Sequence, residues 1–366
     1  MQFIDLAAQY RHLKSRIDSR IEKVLSHGQY IMGPEVLEFE SLLADYIGVK
    51  HCISCANGTD ALSLALMVLG CKEGDAVFCP SFTFFATAET IAHQNATPVF
   101  VDSDSKLFNI CPTDLESQIK KVVKDGRLIP KAIIAVDLFG LPANYPEIEA
   151  LASKYSLGLI EDAAQAIYSQ CKGKFLGTIG DLGILSFHQT KNIFCGEGGA
   201  ILINNVKYIS RAKVIREKGT NRSQFINGKI KKYSWVDIGS SFLPSSLQAA
   251  FLYNQLQSGF KINKKRKDVF FKYHEFFSQI VKNCNVKIPY INDENEVNGH
   301  FYWILVPEKS RSMFIKTAKL NNIELTTHFE PLHNSKAGKK YGKTYENLKT
   351  TRSLSKQIVR IPIHTQ

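Results

Sequence analysis

Between residues 76 and 162, short and almost wholly apolar runs alternate with stretches of helical spacing, and this rhythm narrows the fold more than anything else in the chain. Ala76-Val77-Phe78-Cys79-Pro80, Thr97-Pro98-Val99-Phe100-Val101-Asp102, Ala132-Ile133-Ile134-Ala135-Val136 and Gly158-Leu159-Ile160-Glu161-Asp162 read as strands, with helices expected over about 85–93 and 145–155. A strand with one wet face alternates apolar and polar residues. Runs without that alternation are buried on both faces, which argues an α/β fold with a mostly parallel sheet under helices. Ligands gather at the carboxyl ends of such strands. Asp162 stands at such an end, with Gln165 a short step beyond; the plainer alternative is that Asp162 only caps the next helix.

Two further apolar runs, Leu182-Gly183-Ile184-Leu185 and Ala200-Ile201-Leu202-Ile203, bracket Ser186-Phe187-His188-Gln189-Thr190-Lys191-Asn192 and Gly196-Glu197-Gly198-Gly199. One lysine therefore sits at the edge of a buried sheet among small and polar residues. Desolvation there lowers its pKa towards the amine form that attacks aldehydes. By pattern alone a solvated hairpin lysine is the commoner case, because buried charge is rare. Upstream, Cys52-Ile53-Ser54-Cys55 reads as a strand, and Asn57-Gly58-Thr59-Asp60 opens a helix over about 61–69. A glycine and a hydroxyl at a helix start leave backbone amides free for an anion, although an ordinary N-cap has the same look. The dinucleotide-binding glycine pattern is absent here.

The formal charge of +12 admits a polyanion surface. The excess is lysine spread through the second half, with no recognised nucleic-acid motif, and reads as solvated helix faces. Eight cysteines do not make a disulfide scaffold in a chain of 366 residues, and Cys52 and Cys55 lack a second pair at zinc spacing; buried thiols are expected, with Cys195 beside the lysine worth watching. No apolar run reaches membrane-spanning length, and the opening residues lack a signal-peptide profile, so a cytoplasmic enzyme is the default expectation.

A strand-edge lysine, an anion-ready helix start and an acid at a strand end are together what pyridoxal phosphate needs: an amine for its aldehyde, amides and hydroxyls for its phosphate, and a carboxylate for its ring nitrogen. The motifs Asn57-Gly58-Thr59, Pro80-Ser81-Phe82-Thr83-Phe84, Glu161-Asp162-Ala163-Ala164-Gln165 and Ser186 to Lys191, in this order, resemble the fold-type-I, pyridoxal-phosphate-dependent sugar aminotransferases of the DegT, DnrJ, EryC1 and StrS family. The resemblance runs from about Phe3 through the C-terminal region. It implies Lys191 as the lysine that binds the cofactor and moves the proton, and Asp162 as partner of the ring nitrogen. Gln165 is implied near the ring hydroxyl, Gly58, Thr59 and Ser186 at the phosphate, and Phe84 on the ring face. Ser241, in Gly239-Ser240-Ser241, stands where relatives carry an asparagine that reaches a neighbouring subunit's phosphate site. His328, in His328-Phe329-Glu330-Pro331-Leu332-His333, and His188 are implied as substrate contacts.

Within the family, the Ser186–Asn192 motif, Glu217-Lys218-Gly219-Thr220-Asn221-Arg222-Ser223-Gln224-Phe225 and Tyr233-Ser234-Trp235 look most like members that aminate C4 of a dTDP-linked 4-keto-6-deoxyhexose with glutamate as donor. Phe3-Ile4-Asp5-Leu6, Gly28 to Val36 and Ser54 to Asp60 look more like members that aminate C3 of UDP-sugars. The resemblance further implies a homodimer with active sites at the subunit interface, and a role in polysaccharide or glycan biosynthesis. No nucleic-acid or membrane partner is expected. After residue 205 the character changes. A large domain over residues 1–245 and a linking helix with a small domain over 246–366 are expected, with small-domain strands at Tyr302-Trp303-Ile304-Leu305-Val306 and Ile323-Glu324-Leu325. Relatives continue into a final helix where this chain stops at Gln366. Two rivals are a dehydratase using the same cofactor, in which histidine replaces the lysine, and a non-catalytic cofactor-binding or nucleic-acid-binding regulator.

Overall fold

The computed structural model describes residues 6–363; Phe3-Ile4-Asp5 and Gln366, both part of the reading above, lie outside the described residues. The strands in chain order are β1 (Cys52–Cys55), β2 (Asp75–Pro80), β3 (Thr97–Val101), β4 (Ile129–Val136), β5 (Gly158–Asp162), β6 (Gln170–Cys171), β7 (Lys174–Phe175), β8 (Leu182–Ser186), β9 (Gly199–Ile203), β10 (Asn295–Glu296), β11 (Tyr302–Leu305) and β12 (Ile358–Ile361). Seven of them form one sheet in the order β1-β9-β8-β5-β4-β2-β3. The five strands β3, β2, β4, β5 and β8 run parallel, while β9 is antiparallel to both β8 and β1.

Both faces of this sheet are covered, as the unbroken apolar strands require. Ile134, Ile160, Ile184 and Ile201 pack on one side beneath the helix Gly58–Leu69, whose Leu62, Leu66 and Leu69 face them. Ile133, Leu159, Leu185 and Leu202 pack on the other against Phe39, Ile148, Leu252 and Leu256. The helix Ser246–Gln257 begins with a reciprocal capping box between Ser245 and Gln248. Its buried Ala249, Leu252 and Leu256 join the core of the large sheet, so this helix packs on the large body although it follows the boundary expected at residue 245. The long helix Gly259–Ile280 then leads to a small two-stranded sheet of β11 and β12, with a core of Phe270, Tyr302, Ile304, Val359 and Ile361.

One expected strand is absent. Residues 323–325 are irregular, with Ile323 and Glu324 exposed and Leu325 half-buried, and only Thr326 reaches β12, as an isolated antiparallel bridge to Arg360. Asn322 takes a left-handed φ of 59° after the helix Glu308–Leu320, which turns the chain before a ladder can start. No helix among the described residues is long and apolar enough to cross a membrane.

Candidate active site

The carboxyl ends of β5 and β8 and the start of the helix Gly58–Leu69 meet at one point of the large sheet. Asn57 caps that helix, its side chain accepting from the Asp60 N–H at 2.7 Å. The amides of Gly58 and Thr59 belong to the first turn and have no intrahelical acceptor. They line the cleft beside Ser186. Glycine is required at 58 by proximity, because a Cβ there would lie 2.8 Å from Ser186 Cβ. Asp162, at the end of β5, is 5% exposed. Its carboxylate accepts long bonds from the Ala164 N–H (3.2 Å) and the Thr87 hydroxyl (3.3 Å). Burial pushes its pKa up, opposed first by the Ala164 N–H and then by the charge of Lys191 and by Thr87. A buried carboxylate with only weak partners favours a cation brought against it.

Lys191 lies in the turn between β8 and β9. By connectivity this is a hairpin, yet the turn is not a solvated one. Phe187, Ile193 and Phe194 are buried, and Phe187 packs edge-on against Phe39 with ring centroids 5.6 Å apart. Burying a side chain of that size stabilises by about 2 kcal/mol. The turn is also tied by backbone bonds, Phe187 N–H to Gly198 O at 2.7 Å and Gln189 N–H to Gly196 O at 2.8 Å. Desolvation lowers the Lys191 pKa to about 8; Asp162 opposes the shift and Arg360 adds to it. A large fraction of neutral amine near pH 8 is what an aldehyde-binding lysine requires.

The residue after the lysine anchors the turn to the small body. Asn192 donates to Asn263 Oδ1 (2.9 Å) and to the Asn298 carbonyl (3.0 Å), and its own Oδ1 lies 2.9 Å from His300 Nδ1. The amide accepts there, so His300 carries its proton on Nδ1. Burial, followed by the charge of Lys191, holds the His300 pKa well below its usual value and keeps the ring neutral.

The small body supplies the far wall. His300, Phe301, His328, Phe329 and Arg360 join Phe84, Asp162, Gln165, Ser186, His188 and Lys191 around a cleft of about 560 Å³. Every cofactor and substrate residue expected from the sequence lines this cleft except Ser241. That residue is exposed and pairs with Glu217 in an isolated bridge. Gln165 reaches the Phe139 N–H at 2.8 Å through its Oε1. His188 Nδ1 accepts from the Thr190 N–H at 3.2 Å, and its Nε2 is 3.8 Å from Glu197 Oε1. Phe84 stays half exposed beside Phe85, with ring centroids 4.0 Å apart. Cys195 is no rival nucleophile, since burial pushes its thiol up to about 12. The residues missed from sequence are Arg360, His300 and Thr87. The one sign of Arg360 was a single charge within the apolar run Ile358-Val359-Arg360-Ile361.

These residues fit pyridoxal phosphate: glycine and two free amides where a Cβ would intrude, a buried acid awaiting a cation, and a lysine held near its neutral form. The comparisons agree. The model of the DegT/DnrJ/EryC1/StrS aminotransferase family matches residues 11–366. The chain is 42% identical over 258 residues to the UDP-2-acetamido-2-deoxy-3-oxo-D-glucuronate aminotransferase of Pseudomonas aeruginosa, covering 70% of this chain and 67% of that one. It is 31% identical over 363 residues to the dTDP-3-amino-3,6-dideoxy-alpha-D-galactopyranose transaminase of Aneurinibacillus thermoaerophilus, covering 99% and 93%. The crystal structure of a DegT DnrJ EryC1 StrS aminotransferase from Brucella abortus superposes with a TM-score of 0.92 at 38% identity, over 100% of this chain and 94% of that one. The chain belongs to the DegT/DnrJ/EryC1/StrS family and is a sugar aminotransferase that works with pyridoxal phosphate.

Proposed function

We propose that the protein transfers the amino group of glutamate to the C4 ketone of a dTDP-linked 4-keto-6-deoxyhexose, for cell-surface polysaccharide or glycan synthesis. The observation that carries the catalytic part is the meeting of Lys191, Asp162 and the Gly58 and Thr59 amides in one cleft. Pyridoxal phosphate bound there would supply an electron sink for the carbon that carries the nitrogen. Lys191 Nζ takes the proton from the α-carbon of glutamate and later delivers one to the sugar carbon that receives the amine. Asp162 would stabilise positive charge at the ring nitrogen of the bound cofactor, and Phe84 would cover one face of its ring. Glutamate leaves as its 2-oxo acid before the ketosugar enters, so the two half-reactions share one site.

The C4 assignment rests on the resemblance of Glu217-Lys218-Gly219-Thr220-Asn221-Arg222-Ser223-Gln224-Phe225 and its neighbours to C4 aminotransferases. A second reading, amination at C3 of a UDP- or dTDP-linked 3-ketosugar, is favoured by the names of two relatives. A homodimer is part of the proposal. Its support is the exposed apolar run that includes Trp235 (75% exposed) and Ile238 (71%), close to Ser241 in sequence; in a dimer Ser241 would serve the neighbouring cleft.

Visible absorbance tests these points together. Protein loaded with pyridoxal phosphate should show the band of the lysine-bound cofactor, lose it with glutamate and regain it with dTDP-4-keto-6-deoxyglucose. Recovery only with a UDP-linked 3-ketosugar would replace C4 by C3, and failure of glutamate to bleach the band would overturn the donor.

A further inference from the structure

The small-body wall of the cleft holds a charge the catalytic scheme has not used. Arg360 sits on β12, where its backbone exchanges hydrogen bonds with Thr326 (2.8 and 3.4 Å), two residues before His328. Its guanidinium lies 3.5 Å above the ring of Phe301, and its Nη1 is 2.9 Å from His328 Nδ1. Arginine has no acceptor, so Nη1 must donate and Nδ1 must accept. A neutral imidazole that accepts at Nδ1 carries its proton on Nε2. That Nε2 is buried and has no hydrogen-bond partner among the described residues. The ring cannot swing to find one, because Phe139, Phe301 and Phe329 hold it with centroids 5.0, 5.9 and 3.7 Å away. A buried donor without an acceptor is costly, and its persistence in a cleft points to a ligand oxygen.

We propose, on the basis of the function above, that Arg360 and His328 form the subsite for the α-carboxylate of the amino-acid donor, Arg360 attracting it and fixing His328 in the tautomer whose Nε2–H completes it. The chemistry suits a carboxylate, which takes several charge-assisted N–H donors at once. The position suits the donor. The field of Arg360 is felt at Lys191, and an α-carboxylate is attached to the very carbon whose nitrogen and proton are handled there. Burial pushes the Arg360 pKa down to about 9, so the guanidinium is poorly hydrated and remains charged at neutral pH. A carboxylate on the sugar ring of a hexuronic acid offers the same chemistry and is the source to be told apart.

Calorimetric titration with glutarate, which has the donor's carboxylates but no reacting nitrogen, makes the test independent of turnover. Arg360→Met keeps an apolar chain over Phe301 and should weaken glutarate about 10- to 100-fold, the loss of hydrogen bonds to a charged ligand. Arg360→Lys should recover part of that, and His328→Phe, which keeps the ring packing but removes Nε2–H, should weaken glutarate about tenfold. The ratio of UDP-glucuronate to UDP-glucose affinity should not change in any of them. In half-reactions, Arg360→Met should raise the glutamate concentration needed for bleaching by a similar factor and change the ketosugar half-reaction by a smaller one. Unchanged glutarate binding in Arg360→Met and in His328→Phe overturns the subsite, and a change confined to the UDP-glucuronate ratio moves it to the sugar. Should Arg360→Met fail to fold by circular dichroism, His328→Phe and Arg360→Lys decide alone. Wild-type protein with no cofactor band that still binds glutarate through Arg360 would sink the aminotransferase reading and keep the anion site.

Discussion

The two walls of the cleft are built on different terms. On the large body the groups that frame the cleft are tied to one another, while the Gly58 and Thr59 amides are left for a ligand. Asn57 is capped onto Asp60, Ser186 Oγ accepts weakly from the His188 N–H at 3.4 Å, and Glu161 behind Asp162 takes amides of Gly177, Ile179 and Gly180 at 2.6, 2.7 and 3.0 Å. On the small body the wall is aromatic and basic, and His328 keeps a buried nitrogen without a partner among the described residues. A wall that must hold one cofactor through every cycle can be preorganised by its own bonds. A wall that must admit two chemically different substrates in turn keeps donors unspent until a ligand arrives.

The largest effect that would break this contrast is at the lysine. Lys191→Ala should lower turnover by about 10⁴-fold or more, with the visible band of the lysine-bound cofactor lost, as absorbance and steady-state rates would show. Residual activity within tenfold of wild type would mean that another amine does the work. Asp162→Asn should cost about 10²- to 10³-fold in kcat while the cofactor still binds, since the group acts on charge rather than on occupancy; a loss of binding alone would place Asp162 among the holding groups instead. Gly58→Ala forces a methyl against Ser186 and should weaken pyridoxal phosphate about tenfold in a fluorescence titration, the cost of overpacking by 1–3 kcal/mol.

Asn192→Ala strips the His300 N–H and Asn263 of their partner and should destabilise the protein by about 2 kcal/mol in urea unfolding. A further effect concerns pH. Lys191 has a folded pKa of about 8 against 10.5 when unperturbed. Between those values the unfolded chain holds a proton that the folded chain has released, so the stability of the cofactor-free protein should gain a contribution that rises with pH across that window. Denaturant midpoints of wild type and Lys191→Ala measured from pH 8 to 10.5 should diverge accordingly, and parallel curves would show that the amine is not desolvated.

The same contrast explains what could be read from sequence. The parallel sheet was legible because strands buried on both faces must be apolar without a break, and Asp162, Lys191 and Gly58 were legible because each lies in a short local motif at a strand end or helix start. The small body obeys no such local rule. Arg360 reaches the cleft only through the pairing of β12 with β11 and with Thr326, and His300 only because Asn192, more than a hundred residues earlier, holds it. Residues 323–325 have strand-like composition, yet a left-handed Asn322 decides against it. The partly antiparallel edge of the sheet, β9 beside β1, was equally hidden, since a buried apolar strand reads alike in either direction.

The bonds of Asn192 also bear on how such enzymes can be recombined. Anyone grafting the C-terminal part of a relative, from about residue 259 onward, onto this large body would sever contacts to Asn263, Asn298 and His300 that hold the residue next to the reactive amine. Hybrids that carry those three residues across should keep a well-placed lysine whatever sugar they accept, whereas hybrids that lose them would be handicapped in both half-reactions before any new substrate is tried.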